Sequence, residues 1–243
     1  MFRTLRLAAL TAALAAQALA GDLTITFKAT GRMNDGVQTH FWSSKFMRIN
    51  NPAGSDTLVD YEKGVTYLID HKKKLVQKIA WDDMEAMAEG AAKMLKDMPP
   101  FALKMMPGGG DTEVHVEDGG KESVAGRSCR KWTITMGKSV FETSNDPTLK
   151  PPIPAVAYSR FLKVRNLMGA VGPAAAGMRK VGEELSKIQG VALRTRTVLP
   201  MVGETTTEAT EVKEGPVPAS AFALPEGYKT EDLGAKMAKS FSR

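Results

Sequence analysis

The chain has 243 residues, 43% of them hydrophobic and 25% charged, which is ample for a core in one large β-rich domain or two small ones. Its formal charge of +6 is mild and its basic residues are scattered, with Lys72-Lys73-Lys74 the only run of three and no aromatics interleaved. That excludes a nucleic-acid surface built on a basic stripe, and the single cysteine, Cys129, excludes an intrachain disulfide framework.

The first residues predict a cleavable secretory signal over 1–20. Arg3 and Arg6 precede an apolar run from Leu7 to Leu19, and Ala18-Leu19-Ala20 is a small-x-small cleavage site, so the mature chain is expected to start at Gly21. The run is shorter than the about 20 residues that span a bilayer, and no later stretch reaches that length without charges. No cysteine follows the site to carry a lipid anchor. The expected location is periplasmic or secreted.

Leu23, Ile25, Phe27 and Ala29 alternate with polar residues, the period of a half-buried strand. Asn34-Asp35-Gly36 signals a tight turn, and a second strand is expected over Val37–Asn50. Thr57–Glu62, Val65–Asp70 and Leu75–Trp81 read as further strands with short turns, an antiparallel meander. At Asp82 the period changes. Asp82 with Glu85 has the spacing of a capping box, and Met84, Met87, Ala91, Met94 and Met98 fall on one helical face until Pro99-Pro100. Strands resume at Thr112–Glu117, with a turn at Asp118-Gly119-Gly120, and continue through Trp132–Met136 and Ser139–Thr143. A proline-rich connector leads to a helical region over Ala155–Lys187, split at Gly172-Pro173. Strands return at Val191–Leu199 and Glu204–Lys213, and a short helix is expected in Thr230–Ser242. The order predicts an α+β fold: one curved antiparallel sheet over 21–229 with helical insertions at 82–106 and 155–188 on one face, followed by a tail at 230–243.

Three stretches carry a resemblance. Tyr61-Glu-Lys-Gly-Val-Thr-Tyr-Leu-Ile-Asp70, closed by Lys72-Lys-Lys, resembles a hairpin of DUF4412-type exported proteins. Val124-Ala-Gly-Arg-Ser-Cys-Arg-Lys-Trp132 is similar to their Gly-x-x-Cys-x-x-aromatic segment, and Phe222-Ala-Leu-Pro-Glu-Gly-Tyr228 to a closing motif they share with LolA/LppX-like lipoprotein carriers. The resemblance implies a half-open β-barrel whose concave face is covered by helices, a hollow that holds acyl chains in the carriers. The helical insertion at 155–187 departs from that pattern, and no binding residue is carried over.

Catalytic signatures are sparse. His40, His71 and His115 are not paired at metal-ligand spacing; His115 and Glu117 share a strand face but lack a third ligand. There is no Gly-x-Ser-x-Gly elbow, and Gly108-Gly109-Gly110 lacks the Lys-Ser/Thr of a phosphate loop. Asp82-Asp83 and Glu183-Glu184 are neighbours on helices and do not face each other. The expectation is a protein that is not an enzyme and holds no metal or cofactor.

The methionines at 84–106 admit three readings: core packing of helix on sheet, an adaptable lid over an apolar pocket, or a soft-metal thioether site. On the lid reading, Met84, Met87, Met94, Met98 and Phe101 are the candidate ligand-binding residues. The function expected is an exported binding protein for a lipid or other apolar molecule. A structural or protein-interaction module of the cell envelope is the alternative.

Overall fold

A computed structural model of the chain describes residues 21–31, 35–96, 99, 113–169, 175–200 and 202–236. The expected leader at 1–20, Met98, Phe101, Gly108–Gly110, Gly172-Pro173 and the last residues of the tail lie outside them.

Twelve strands form one sheet: β1 (Leu23–Gly31), β2 (Gly36–Trp42), β3 (Phe46–Asn50), β4 (Ser55–Asp60), β5 (Val65–Asp70), β6 (Leu75–Ala80), β7 (Val114–Val124), β8 (Arg127–Met136), β9 (Ser139–Asp146), β10 (Val191–Leu199), β11 (Gly203–Glu214) and β12 (Lys229–Asp232). Their order is β12-β6-β5-β4-β3-β2-β1-β11-β10-β9-β8-β7. Every pair is antiparallel except β12 with β6. The sheet is curved and unclosed, with helices α1 (Trp81–Lys96), α2 (Ala155–Gly169) and α3 (Ala175–Lys187) among the described residues. The α+β class follows from this strand order. β1 is the hinge of the topology: β2 to β6 continue as a meander on one side, and β11 leads into the later strands on the other.

Four local expectations change. The strand expected over 37–50 is two strands, because Ser43 folds the chain: its Oγ accepts from the Phe46 amide at 3.0 Å. The turn expected at Asp118-Gly119-Gly120 is a bulge within β7, where the register with β8 slips. The hairpin turn lies instead at Ala125-Gly126, both at positive φ (49° and 74°), the geometry of a primed turn that matches strand twist. Helix α1 starts at Trp81, so Asp82 lies in its first turn instead of capping it. Trp81 forces the early start: its amide donates to the Gly64 carbonyl at 2.9 Å and its indole Nε1 to Thr66 Oγ1 at 3.0 Å. Glu85 turns away to Arg160 and Lys163 instead of closing a capping box. Finally, of the tail expected as a short helix in Thr230–Ser242, the first residues belong to the edge strand β12, helix begins only at Leu233 and runs through Lys236, and the rest lies outside the described residues.

Register decides which face each core residue serves. Val59 lies opposite Met47 on β3 and Thr66 on β5, and all three point to the helices. Here Met47, Val59, Tyr61, Ile79, Trp81, Met84, Ile153, Phe161 and Val164 form one buried cluster. Leu58, one residue away, faces the other side, where it meets Ile69 and Val76 under Phe46, Tyr67, Phe222 and Tyr228. A third cluster at the sheet centre holds Leu23, Ile25, Phe27, Cys129, Leu193 and Ala209; among the described residues no helical side chain joins it. A fourth packs Val181 of α3 on Ile134 and Phe141.

Candidate functional site

The first turn of α1 and the face of α2 meet over β3 to β6 in a layer of aromatic rings. Tyr61 and Phe161 meet edge to face with centroids 5.7 Å apart, Tyr61 and Trp81 at 6.2 Å, and Tyr158 stacks on Phe161 at 6.4 Å. Residues 158, 161 and 165 are spaced by three and four, so Tyr158, Phe161 and Arg165 share a stripe of α2. The Arg165 guanidinium sits over the Phe161 ring, 5.9 Å from its centroid.

This apolar layer contains two polar atoms without a partner. The Tyr61 hydroxyl and the Trp42 indole Nε1 are fully buried and find no hydrogen-bond partner among the described residues. Tyr61 is 6% exposed as a residue, and Trp42 packs between the central cluster and the helix-covered one. An unmade hydrogen bond on a buried donor costs about 1–3 kcal/mol, so two in one layer call for a physical reason. Burial holds the phenol of Tyr61 far above its usual pKa and that of Tyr158 above its own, and the nearby Arg165 charge opposes the shift in both.

The predicted site residues divide. Met84 is in the helix-covered cluster, 4% exposed, against Trp81 and Tyr61. Met87 is half-buried on α1. Met94 lies within the described span of α1, but its side chain is not described, and Met98 and Phe101 lie outside the described residues. The packing and lid readings therefore meet at Met84, which is core in the structure as it stands. Trp42, Tyr61 and Arg165 were not singled out from the sequence. Tyr61 belongs to a quoted hairpin motif, yet no local pattern marks a phenol as unpartnered.

On the centre of the same face, His40 packs its ring against Phe27 at 4.5 Å, and burial lowers its pKa to about 4. Among the described residues no three His, Cys, Asp or Glu side chains gather as a metal site, and His115 is near Glu113 alone. Asp82 pairs with Arg160, Glu183 with Arg179 and Glu184 with Lys187, which accounts for three of the four paired carboxylates.

The opposite face of the same strands carries a second polar set. Asp56, nearly buried, accepts from Arg48 at 2.6 Å, His71 Nε2 lies 2.9 Å from it, and His71 Nδ1 is 3.0 Å from the Tyr228 hydroxyl. Arg48 also donates to the Ala223 carbonyl at 2.8 Å, and Phe222 stacks on Phe46 at 5.5 Å. The Phe222–Tyr228 motif is thus a strap over the outer face, fastened by ring stacking and a buried carboxylate.

No family model matches the chain, and none of the curated proteins does. Similar solved structures include PNGF-II, 12% identical, with 91% of this chain and 32% of that chain covered and a TM-score of 0.45. The MucA/MucB complex of Pseudomonas aeruginosa is 12% identical, covering 84% and 56%, at 0.40. A LolA-superfamily protein of Nitrosomonas europaea is 7% identical, covering 84% and 90%, at 0.26. The chain thus spans about a third of the length of PNGF-II and little over half of the MucB complex chain. No helix among the described residues is long and apolar enough to cross a membrane.

Proposed function

We propose that this protein, freed of residues 1–20, is a periplasmic or secreted binding protein that holds a lipid or other apolar molecule between the sheet and its helices, without catalysis. The reading keeps the DUF4412-type and carrier-like resemblance of its three motifs. The observation that carries it is the pair of buried, unpartnered donors, Tyr61 OH and Trp42 Nε1, set in an otherwise apolar layer. A ligand oxygen entering that layer would accept from them, while its hydrocarbon replaces or displaces side chains such as Met84 and Met87, which are flexible enough to repack. The test is native mass spectrometry of protein purified from its own envelope before any detergent step. A bound apolar mass, lost on organic extraction, is the expected result. A bare protein mass, together with no uptake of an apolar fluorescent probe, overturns the proposal.

One feature favours the interaction-module alternative. Val156 on α2 is 85% exposed beside an open depression of about 520 Å³ lined by Glu85, Ala155, Ser159, Arg160 and Lys163. An apolar side chain rimmed by charges suits a protein contact. Loss of a copurifying envelope protein in Val156→Asp, with probe binding intact, is the result that selects this alternative.

A further inference from the structure

Among the described residues the arginines are, with one exception, employed in ion pairs. Arg48, Arg127, Arg130, Arg160, Arg179, Arg194 and Arg196 each form an ion pair with a carboxylate. Arg165 is the exception among the described arginines. Its one contact there is the Phe161 ring, and it stands at the solvent end of the stripe that runs through Tyr158 and Phe161. Beneath that stripe lies the unpartnered Tyr61 hydroxyl, whose ring meets Phe161 edge to face. A cation at the rim, a buried hydroxyl donor without an acceptor that the field of that cation reaches, and the apolar rings of Phe161 and Tyr158 beside them are complementary to an amphiphile with a negative head.

Resting on the binding function proposed above, we infer that the ligand is an anionic acyl amphiphile, its head held by the Arg165 guanidinium and the Tyr61 hydroxyl and its chain directed into the layer under α1 and α2. A guanidinium offers a planar fork of donors that matches carboxylate and phosphate oxygens. The Tyr61 phenol stays protonated because burial raises its pKa, so it serves as a donor to that head. The shared chemistry is an anion on an acyl chain, supplied either as a fatty-acid carboxylate or as a phospholipid phosphate.

The experiment compares cis-parinaric acid with its methyl ester on the delipidated mature protein, reading the fluorescence of each. The acid is expected to bind about tenfold tighter than the ester, the scale of a hydrogen bond to a charged group. Arg165→Gln is expected to abolish that preference while leaving the melting temperature unchanged, since Arg165 is exposed and forms no ion pair among the described residues. Tyr61→Phe is expected to weaken the acid without loss of stability, because it removes a buried, unsatisfied hydroxyl and keeps the ring. Displacement by palmitic acid but not by lysophosphatidylglycerol assigns the head as carboxylate, and the reverse assigns it as phosphate. Equal affinity for acid and ester in the wild type overturns the anionic head and leaves the binding function standing. Binding of neither probe overturns both.

Discussion

The two ends of the sheet are made of the same antiparallel strands and are held by different physics. At the β3–β6 end both faces are covered. In β4, Leu58 and Val59 are consecutive and both essentially buried, one under the Phe222–Tyr228 strap and the other under α1 and α2. At the β8–β11 end α3 covers one face. Cross-strand ion pairs occupy the other, with Arg196 between Glu142 and Glu204, Arg194 between Glu122 and Glu208, and Lys131 on Glu142. The lesson is that a meander can be stabilised by burial on two sides or by burial on one and charge pairing on the other. Only the first kind has an interior covered on both sides, in which a hydroxyl such as Tyr61 lies among apolar side chains.

The strongest test of that contrast is Trp81→Ala. Trp81 is 1% exposed, touches both Tyr61 and Phe161, and fixes the start of α1 through its amide and indole. Truncation is expected to cost about 3–5 kcal/mol in urea unfolding, the range for a buried large aromatic. A loss below about 1 kcal/mol would show that the helix-covered cluster is not the stabilising centre of this end.

The strap on the outer face gives the next effect. Asp56→Asn keeps the shape and weakens charged hydrogen bonds to Arg48 and His71, for an expected loss of about 1.5–3 kcal/mol. The pH dependence has two parts. Burial acts to raise the Asp56 pKa, but hydrogen bonds from His71, Arg48 and the Asn51 amide outweigh it, so the folded pKa lies below the usual carboxylate value. A depressed carboxylate contributes stability that is present above the unfolded pKa and is lost as pH falls through the folded one. The difference between wild type and Asp56→Asn should therefore shrink as acid is added below roughly pH 4. His40 acts earlier: burial lowers its folded pKa to about 4. Between roughly pH 6.5 and that value the unfolded chain takes up a proton that the folded chain does not, and stability falls. A His40→Gln variant with the same acid profile as wild type would break that assignment.

Cys129 sits where the β7–β8 hairpin tip folds onto the central cluster. It is 1% exposed, and burial raises its pKa, with Asp146 and Glu122 adding to the rise against the nearby Arg127. Labelling by a thiol reagent should be slow in buffer and fast in denaturant, and Cys129→Ser should cost about 1–2 kcal/mol, the scale of a hydroxyl placed in an apolar site. Equal labelling rates in the two conditions would contradict the packing at the hairpin tip.

How much of this was legible follows the same division. The period-two pattern of β1 and the span of β10 are local signals, and the sequence expectation matched them closely. The Ser43 fold between β2 and β3 and the bulge at Asp118–Gly120 were missed because both read locally as something else, an unbroken apolar strand and a Gly-rich turn. The strap is a non-local feature. Its motif was visible, but Arg48, Asp56 and His71, which fasten it, come from three separate strands and turns. The same holds for the candidate site, since an unpartnered Tyr61 and an unpaired Arg165 are defined by what other side chains do. Gly190 was not singled out from the sequence either, and its reason is equally non-local: it is at φ +86°, and a Cβ there would stand 2.0 Å from the Asp146 carbonyl oxygen.

The smallest expected effect lies on the charged face. Arg196 lies opposite Thr206 on β11 and Glu142 on β9, and it donates to Glu204 at 2.8 and 3.0 Å and to Glu142 at 3.3 Å. Both carboxylates are held below their usual pKa, chiefly by hydrogen bonds, from Lys131 and Arg196 for Glu142 and from Arg196 for Glu204. Yet the guanidinium is about a third exposed and Glu204 about half, so water and salt screen the pair. Arg196→Gln is therefore expected to lower the urea midpoint only slightly, and raising the salt concentration should diminish that difference. Glu142 keeps Lys131 at 2.9 Å in the variant, which limits the loss further. A salt-insensitive loss as large as that of Asp56→Asn would mean that this face is drier than its exposure indicates. The contrast between the two ends would then rest on the strap and the aromatic layer alone.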